Sequence, residues 1–502
     1  MKISNILEKI TQDVIIKSGK KNAEISDIAI NSRLVQKNSI FFALKGLAMD
    51  GNKFIQDAID KGASIIVSNQ DFDSDVLQKN DCTFINVKNC FNLLIEFLQI
   101  FYNKLPCNIY AVTGTNGKTS TAEFIRQILQ LINKESASIG TLGVVCSQEI
   151  KKNIPDSSLT TPDIVTIYKI LHILKANNID DVAIEVSSIG FEQNRVAGLN
   201  INCGIFTNFT QDHLDYHSDM NEYFRCKMLL FNNILQKNSP AVINSDIPEA
   251  LQIKEICQKN GLQIFDYGKK AQKLQIINIE NENFGQKISF RFLDKEFFFN
   301  IQSSAKFEAY NIFCALTTII AKYNLQKEQI EELLPKLQRL KSAQGRMQRV
   351  AILPNKAQIF IDFAHTPDSL IKILQQARNM TKSRLLILFG CGGDRDTKKR
   401  PQMGKIACEL ADLAIITDDN PRYEDPAQIR YDIVKSCKKD KFIEIEDRKI
   451  AIKKAISLLQ ENDILILAGK GHEKYQIIGD KKIELDEEKI ITKHLNDKKY
   501  HA

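Results

Sequence analysis

Features that would assign this chain to several common classes are missing from its sequence. No apolar run is long enough to cross a bilayer, and the N-terminal stretch has no apolar core of signal-peptide length. Lys and Arg do not form a run interleaved with aromatic residues, so nothing indicates nucleic-acid binding. We therefore expect a cytoplasmic protein, acting as a monomer, that binds neither membrane nor nucleic acid.

Paired cysteines are missing as well. The 11 cysteines are odd in number and scattered, and no Cys-x-x-Cys pair occurs. Neither a zinc ribbon nor a disulfide framework is indicated. We expect most of these cysteines to be small core residues of a protein in a reducing compartment.

The composition that is present is that of a soluble globular protein. Of its 502 residues, 43% are hydrophobic and 26% are charged, which is ample for a large core. This length predicts two to four domains. The formal net charge of +7 is a weak basic excess over such a length, and it suits an anionic substrate.

Strand-like runs alternate with helical patterns along most of the chain. Repeated strand–helix–strand units predict an α/β fold with parallel sheets and right-handed crossovers. Helices are predicted over 54–61 and 119–133, and a polar patch over 336–344 is interpreted as a linker. Strands are predicted over 39–44, 63–68, 109–113, 181–186, 203–206, 358–363, 384–389, 413–417 and 464–468.

This rhythm divides into three α/β domains, over residues 1–105, 106–343 and 344–502. In open parallel sheets, ligands bind at the carboxyl ends of the strands. Most of the unusual residues in this sequence come directly after a predicted strand. They are Gly114, Ser187, His365, Gly390, Asp418 and Gly469.

A glycine-rich turn between a predicted strand and a predicted helix resembles a phosphate-binding loop. Its sequence over 111–120 is Ala-Val-Thr-Gly-Thr-Asn-Gly-Lys-Thr-Ser, although Val112 stands where the strict pattern has glycine. Gly114 and Gly117 allow backbone amides to face an anion at the helix N-terminus. Lys118 is placed to reach terminal phosphates and Thr119 to ligate Mg²⁺. This loop predicts nucleotide binding, and the missing Asn-Lys-x-Asp motif argues against a GTPase.

Three further features are candidates for metal binding or catalysis. Glu185 ends an apolar strand, where a carboxylate needs a cation, and is interpreted as a Mg²⁺ ligand. The segment 212–217 holds four ligand-type side chains, including His213, although Mg²⁺ prefers oxygen. Lys227 precedes a run of apolar residues and, taken alone, favours a side chain that extends along apolar surface to solvent.

Taken together, these motifs resemble those of the Mur ligases of peptidoglycan synthesis. The resemblance covers essentially the whole chain in the expected order, and is strongest for the members that add meso-diaminopimelate. The segments that carry it are 114–120, 185–188, 212–217, Lys227, 362–368, 392–396, 419–422 and 469–473.

The resemblance implies an N-terminal UDP-binding domain, a central ATPase domain with a parallel sheet and a C-terminal Rossmann-like domain that binds the amino acid. It implies ATP and Mg²⁺ as cofactors, and UDP-N-acetylmuramoyl-dipeptide and meso-diaminopimelate as substrates. ATP would convert the D-glutamate carboxylate into an acyl phosphate, which the amine of diaminopimelate then attacks. Lys118 and Mg²⁺ would screen the two anions that must meet.

Site residues follow from the same resemblance. Lys118, Lys227 and His213 would be catalytic, and Thr119, Glu185, His213 and Lys227 would surround the metal. Lys227 would carry a carbamate as N6-carboxylysine, which requires that the site lower the pKa of the lysine amine. The resemblance thus replaces the interpretation of Lys227 as a side chain that extends to solvent. ATP would contact Gly114, Thr115, Asn116, Gly117, Lys118, Thr119, Ser120, Asn311, Asp362 and His365.

The substrates would be held by two further groups. Ser32 would contact the UDP part, with 47–49 nearby. Arg422 and Arg395 would bind the distal carboxylate of diaminopimelate. Asp419 and Glu473 would bind its distal ammonium. The muramoyl-peptide would contact Thr160, Thr161, Ser187, Gln193 and Arg195. The diaminopimelate site would comprise Arg395, Asp419, Asn420, Pro421, Arg422, Gly469 and Glu473.

The sequence also departs from the family pattern. Ile189 stands where the family often has histidine, Leu159 where asparagine is common, and 305–308 replaces a more usual Gly-x-Phe-Asn. Three alternatives stay open at this point: a lysine-adding Mur ligase, a folylpolyglutamate synthetase, and an ATP-hydrolysing nucleotide switch. Lysine-adding relatives typically lack the arginine at 422, and a switch would not need Arg395, Arg422 and Glu473 together.

Overall fold

The computed structural model describes residues 1–19, 23–46, 49–73, 76–77, 81–155, 157, 159–213, 216–282, 285–302 and 306–499. The chain divides into two compact units. Unit 1 comprises Met1–Gln275 and Cys314–Gln326, and unit 2 comprises Ile276–Phe313 and Lys327–Ala502. Leu47, Ala48, Asp215 and Ala305, which belong to motifs quoted above, lie outside the described residues.

The first part of unit 1 is a small, mostly parallel sheet with strand order β1-β5-β4-β3-β2, in which only β1 runs antiparallel to its neighbour. Short apolar strands and amphipathic helices pack here around Phe42, Ile65 and Phe97. The strands are β1 Ile15–Ser18, β2 Asp27–Ala29, β3 Ser39–Phe42, β4 Ala63–Ser68 and β5 Thr83–Asn86. The helices are Ser4–Leu7, Ile55–Asp60 and Cys90–Phe101, with 3₁₀ turns at Ser32–Leu34 and Gly51–Phe54.

The second part of unit 1 is a larger sheet with order β12-β11-β10-β6-β9-β7-β8, parallel except for the β7–β8 hairpin. Its strands are β6 Asn108–Thr113, β7 Ser136–Gly140, β8 Gly143–Val145, β9 Asp181–Glu185, β10 Cys203–Phe206, β11 Pro240–Asn244 and β12 Gln263–Gly268. Its helices are Lys118–Leu131, Gln148–Lys151, Ile164–Ala176, Ser188–Glu192, Met220–Leu229 and Ala250–Lys259, with a π-helical turn at Leu230–Ile234. The carboxyl ends of β6, β9 and β10 therefore meet at one edge.

Unit 2 contains a sheet of order β16-β17-β21-β18-β19-β20, parallel except for β16, with apolar clusters on both faces. Its strands are β16 Gln348–Ile352, β17 Gln358–Asp362, β18 Leu385–Phe389, β19 Leu413–Ile416, β20 Phe442–Glu444 and β21 Ile464–Ala468. The helices are Lys327–Leu333, Pro367–Met380, Lys399–Leu410, Pro426–Val434, Arg448–Ser457 and Glu487–Lys499.

Two antiparallel hairpins complete unit 2. Strands β14 Gly285–Phe292 and β15 Lys295–Ile301 form one, and β22 Tyr475–Ile478 and β23 Lys481–Glu484 form the other. Strand β13, Leu274–Glu282, and helix Lys306–Tyr323 contribute residues to both units. None of the described helices combines the length and the apolar character needed to cross a membrane.

The predicted α/β fold with mainly parallel sheets is confirmed. Strands β4, β10 and β21 begin and end where the sequence predicted, and helix Lys118–Leu131 starts one residue earlier. The predicted linker over 336–344 is only partly right, because its first residues belong to a 3₁₀ helix, Leu334–Arg339, with Leu334 and Leu337 buried. The domain boundaries at 105 and 343 stay predictions.

We predict that the centre of the unit 2 sheet carries much of its stability. Ile466 lies in β21 between β17 and β18 and is 0% exposed. Its replacement by alanine leaves a cavity, so Ile466→Ala should lower the free energy of unfolding by about 2–5 kcal/mol. Ile450→Ala is the matched control, since that side chain is 59% exposed and should change stability by less than about 0.5 kcal/mol. Equal denaturant midpoints for the two variants would contradict this assignment of the core.

Candidate active site

The phosphate-binding loop predicted from the sequence connects β6 to helix Lys118–Leu131. Gly114 has φ 138° and Gly117 has φ 83°, a region that side chains rarely adopt. A Cβ added to Gly114 would lie 2.1 Å from Thr207 Oγ1, at the end of neighbouring strand β10. Backbone conformation favours glycine at both positions, and close packing also requires it at Gly114; the loop leads directly into a helix N-terminus.

Two lysines meet the backbone carbonyl of Gly114. Lys118 Nζ donates to the oxygens of Gly114 at 3.0 Å and Thr115 at 2.8 Å, and Lys227 Nζ donates to the Gly114 oxygen at 2.8 Å. Lys227 is fully buried, and its Nζ lies 4.4 Å from the centroid of the Tyr223 ring. Burial lowers the pKa of the Lys227 ammonium well below its ordinary value, and the Lys118 charge lowers this pKa further.

A buried carboxylate lies beside the same loop. Glu185 ends β9 and accepts hydrogen bonds from Thr119 Oγ1 at 2.9 Å and from the backbone N–H of Thr141 at 2.8 Å. A Cβ added to Gly140 would come within 1.9 Å of Glu185 Oε1, so glycine is needed there. The structure thus brings together Thr119 and Glu185, both predicted to surround the metal.

The remaining loop residues are tied to the end of β10. The backbone N–H of Asn116 donates to Asn208 Oδ1 at 2.8 Å, while Thr115 Oγ1 donates to the oxygen of Thr210. Ser120 is buried in the first turn of the helix. His213 has φ 53°. Its ring centroid lies 6.0 Å from that of Tyr223, and Lys227 Nζ also contacts the Tyr223 ring.

Most of the residues predicted to hold the muramoyl-peptide form one network. Arg195 donates to the oxygen of Thr161 at 2.6 Å and to Gln193 Oε1 at 2.7 Å, and burial lowers the pKa of its guanidinium. The backbone N–H of Ser187 donates to Thr161 Oγ1 at 3.0 Å. Thr160 reaches the Glu185 region instead, because its hydroxyl lies 3.2 Å from that of Thr141.

Ser32 occupies a different part of unit 1. It begins the 3₁₀ turn Ser32–Leu34 in the N-terminal sheet region and hydrogen-bonds Asp57, which contributes to a lowered pKa of that carboxyl. The UDP contact of Ser32 stays a prediction. Residues 47–48, predicted to lie near the same group, are outside the described residues.

Three residues predicted to contact ATP belong to unit 2. Asp362 ends β17, and its buried carboxylate accepts from the backbone N–H groups of Met347 at 2.7 Å and Ala364 at 2.8 Å. Burial raises the pKa of Asp362 and lowers that of His365. Asn311 is buried on helix Lys306–Tyr323. The structure therefore places these residues in a different unit from the phosphate loop.

The residues predicted to bind diaminopimelate gather after β19 and β21. Asn420 Nδ2 donates to Glu473 Oε2 at 3.0 Å, and Asn420 Oδ1 accepts from Lys470 Nζ at 2.9 Å. Lys470 Nζ is also 3.8 Å from carboxylate oxygens of both Asp419 and Glu473. Gly469 has φ 106°, and an added Cβ there would lie 2.7 Å from Asp419 Oδ2. One buried ammonium thus holds both acidic groups.

Arg422 is fixed against the loop that follows β18. Its φ is 52°, its backbone N–H donates to the oxygen of Ile477 at 3.1 Å, and its Nη1 donates to the oxygen of Gly393 at 2.7 Å. Pro421 lies against the same loop, since a Cβ on Gly393 would be 2.0 Å from its carbonyl oxygen. Arg395 is exposed on this loop.

Sequence reasoning missed residues that hold these groups in place. Lys470 stands inside the quoted 469–473 motif, yet only the flanking Gly469 and Glu473 were assigned. The sequence feature that could have identified Lys470 is its place just after the apolar strand 464–468. Tyr223, which covers Lys227 and donates to Thr115 Oγ1 at 3.2 Å, had no distinguishing sequence signal.

Family models match three consecutive parts of the chain. Residues 24–102 match the Mur ligase family catalytic domain, 112–319 match the Mur ligase middle domain, and 345–471 match the Mur ligase glutamate ligase domain. The chain therefore has the three domains of a Mur ligase.

Similar proteins cover nearly the whole chain. UDP-N-acetylmuramoyl-L-alanyl-D-glutamate–2,6-diaminopimelate ligase of Rickettsia conorii is 40% identical over 474 residues, 93% of this chain and 95% of that protein. A solved structure of a ligase with the same name has a TM-score of 0.66 at 28% identity and 99% coverage of both chains. MurF ligase from Thermotoga maritima in complex with ADP has a TM-score of 0.61 at 15% identity, covering 95% of this chain and 98% of that one. The resemblance predicted from the ordered motifs is confirmed: the chain belongs to the Mur ligase family and is a ligase.

Proposed function

We propose that this chain is an ATP-dependent ligase of peptidoglycan precursor synthesis. It joins the D-glutamate carboxyl group of UDP-N-acetylmuramoyl-L-alanyl-D-glutamate to an amine of meso-diaminopimelate, and releases ADP and phosphate. The observation that carries the proposal is the cluster of Lys118, Lys227, Thr119 and Glu185 around the phosphate loop. The names of the relatives support the choice of substrates. Action in the cytoplasm as a monomer is part of the same proposal.

The chemistry solves a problem of reactivity. A carboxylate is a poor electrophile and its oxygen is a poor leaving group, so the free acid does not acylate an amine. In the proposed reaction, a carboxylate oxygen bonds to the γ-phosphorus and ADP leaves. The amine then bonds to the acyl carbon, phosphate leaves, and the nitrogen loses a proton. The Lys118 ammonium, at the helix N-terminus, stabilises the phosphoryl oxygens in the first step.

Residues beside the loop fit a Mg²⁺ ion. Mg²⁺ prefers oxygen ligands, and Thr119 and Glu185 offer a hydroxyl and a buried carboxylate that already lie 2.9 Å apart. His213 would complete the surroundings less directly, as a nitrogen donor. When bound, Mg²⁺ supplies positive charge that offsets the negative charge of the triphosphate and the substrate carboxylate.

Lys227 fits the role of a carbamylated lysine. Carbamate formation joins a neutral amine nitrogen to the carbon of CO₂ with loss of a proton, so the amine must be deprotonated first. Complete burial and the neighbouring Lys118 charge lower the Lys227 pKa in the direction that this reaction needs. The product is an anion with two oxygens, which would convert a cationic side chain into a Mg²⁺ ligand.

Unit 2 offers the charges that diaminopimelate requires. Its distal carboxylate needs a cation, for which Arg422 and Arg395 are candidates, and its distal ammonium needs an anion, for which Asp419 and Glu473 are candidates. Asn420 and Lys470 hold the acidic side of this group in place. Lysine has no distal carboxylate, so the arginines favour diaminopimelate over the lysine-adding alternative.

The proposed reaction predicts a strict requirement for both co-substrates. With ATP and Mg²⁺, ADP release should need the UDP-muramoyl-dipeptide together with diaminopimelate, and mass spectrometry should detect a new amide. Comparable product formation with lysine would favour the lysine-adding ligase. ADP release that does not depend on any amine, without a new peptide bond, would favour the ATP-hydrolysing switch.

Replacing Lys227 should disable the enzyme. Lys227→Ala should lower kcat by about 100-fold or more, because it removes a charged group from the phosphoryl-transfer region. Added bicarbonate should not restore activity, and the carbamate signal that ¹³C-bicarbonate gives in the wild type by NMR should be absent. Lys259→Ala, at an exposed lysine of the same unit, should behave as wild type. Normal turnover by Lys227→Ala would refute the carbamate.

Replacing Arg422 should damage amino-acid use selectively. Arg422→Ala should lower kcat/KM for diaminopimelate by about 10–100-fold, which corresponds to the loss of a charged hydrogen bond. ATP affinity should stay unchanged in equilibrium binding with a fluorescent ATP analogue. Arg291→Ala removes an exposed arginine of the same unit and serves as the control. Unaltered diaminopimelate kinetics in Arg422→Ala would contradict the specificity argument.

A further inference from the structure

Three potential metal ligands converge in unit 1 outside the residues assigned to the proposed reaction. A ring nitrogen of His217, the Sγ of Cys226 and a carboxylate oxygen of Glu192 all lie within 4.8 Å of one another. His217 and Cys226 are buried, at 2% and 1% exposure, and Glu192 is half-buried. The sequence had marked 212–217 as dense in ligand types, and the proposed reaction gives His217 no role.

Hydrogen bonding leaves two of these groups incomplete. His217 Nε2 lies 2.8 Å from Ser188 Oγ, so that nitrogen has a partner. Across the described part of the chain, no hydrogen-bond partner reaches His217 Nδ1 or Glu192 Oε2, although both atoms are buried. Buried polar atoms are normally paired, and unpaired ones indicate a missing water or ion. The unpaired atoms belong to the two residues that face Cys226.

The surrounding side chains hold the imidazole in place. The His217 ring centroid is 5.2 Å from that of Tyr223 and 5.0 Å from that of Tyr216. If Nε2 carries the proton and donates to Ser188, a lone pair is left on Nδ1, the ring nitrogen that has no hydrogen-bond partner among the described residues. A histidine that donates one N–H to a neighbour and ligates through its other nitrogen is the usual arrangement at protein metal sites.

We propose that Glu192, His217 and Cys226 bind a divalent transition-metal ion of the Zn²⁺ type. A nitrogen, a thiolate sulfur and a carboxylate oxygen match the ligand preference of Zn²⁺, whereas Mg²⁺ prefers oxygen alone. On binding, the Cys226 thiol loses its proton to solvent, and the two anionic ligands balance the charge of the metal. Water would fill the fourth position.

Binding would require a small contraction of the cluster. Zn–ligand bonds of about 2.0–2.3 Å in a tetrahedron place ligand atoms about 3.3–3.8 Å apart. The separations of up to 4.8 Å therefore need to shorten by about 1 Å. Glu192 ends helix Ser188–Glu192 and Cys226 lies within helix Met220–Leu229, so the ion would join these two helices one residue before Lys227.

Cobalt provides a direct probe of the site. The full-length protein, reduced and treated with chelator, should bind one equivalent of Co²⁺ with the ultraviolet charge-transfer band of a thiolate ligand, and Zn²⁺ should displace it. Cys226→Ser should abolish the band and weaken binding by at least about 100-fold. Cys257→Ser, at another buried cysteine of unit 1, should retain both. This control is needed because the described cysteines are all free.

A second variant tests the geometry without removing a ligand. Ser188→Ala removes the partner of His217 Nε2 and should weaken Co²⁺ binding by about 10–100-fold, while the thiolate band remains. Zn²⁺ should raise the Tm of the wild type and of Cys257→Ser but not that of Cys226→Ser. If Cys226→Ser does not fold, Glu192→Gln replaces it, with weakened binding expected. A band that persists in Cys226→Ser, or no metal binding by the wild type, would overturn the proposal.

Discussion

The candidate active site in unit 1 depends on a carboxylate that is buried where a parallel strand ends. Glu185 is only 2% exposed, and removing an ionised carboxylate from water is costly unless hydrogen bonds compensate for the lost hydration. Thr119 and Thr141 supply these bonds, and Gly140 leaves the space that the carboxylate occupies. The start of the helix after the phosphate loop and the turn after β7 are therefore fixed by the same side chain.

Unit 2 also buries a charged group where a parallel strand ends, but here the group is a cation. Lys470 follows β21 and is fully buried, so its ammonium requires acceptors. Asn420 Oδ1 and the oxygen of Tyr475 each accept at 2.9 Å, and carboxylates of Asp419 and Glu473 lie nearby. In both units the compensating groups follow strands of a single parallel sheet, which bring their carboxyl ends to one edge; in unit 2, β18 lies between β21 and β19. Within each unit, this topology explains how segments that are distant in sequence come together at one edge of the sheet.

Sequence reasoning was accurate where the signal is local. Buried parallel strands read as short apolar runs, and so β4, β10 and β21 were predicted to the residue. Long-range contacts were not accessible in this way. The bond from Lys227 to the Gly114 oxygen spans 113 positions, and the pairing of Lys470 with Asn420 spans 50. The β14–β15 hairpin is not among the predicted strands, because β15 alternates buried and exposed residues and so contains no continuous apolar run.

The contrast between Lys118 and Lys227 shows why residue type alone does not set the charge of a site. Both ammonium groups donate to the Gly114 carbonyl, and two like charges beside one oxygen repel each other. Lys227 is the fully buried member, so desolvation and repulsion act on it in the same direction. In the sequence Lys227 is followed by Met228 and Leu229, a context that suggested a side chain extending along apolar surface to water. The fold instead encloses it under Tyr223, and this burial shifts the pKa of Lys227 downwards, towards the neutral amine.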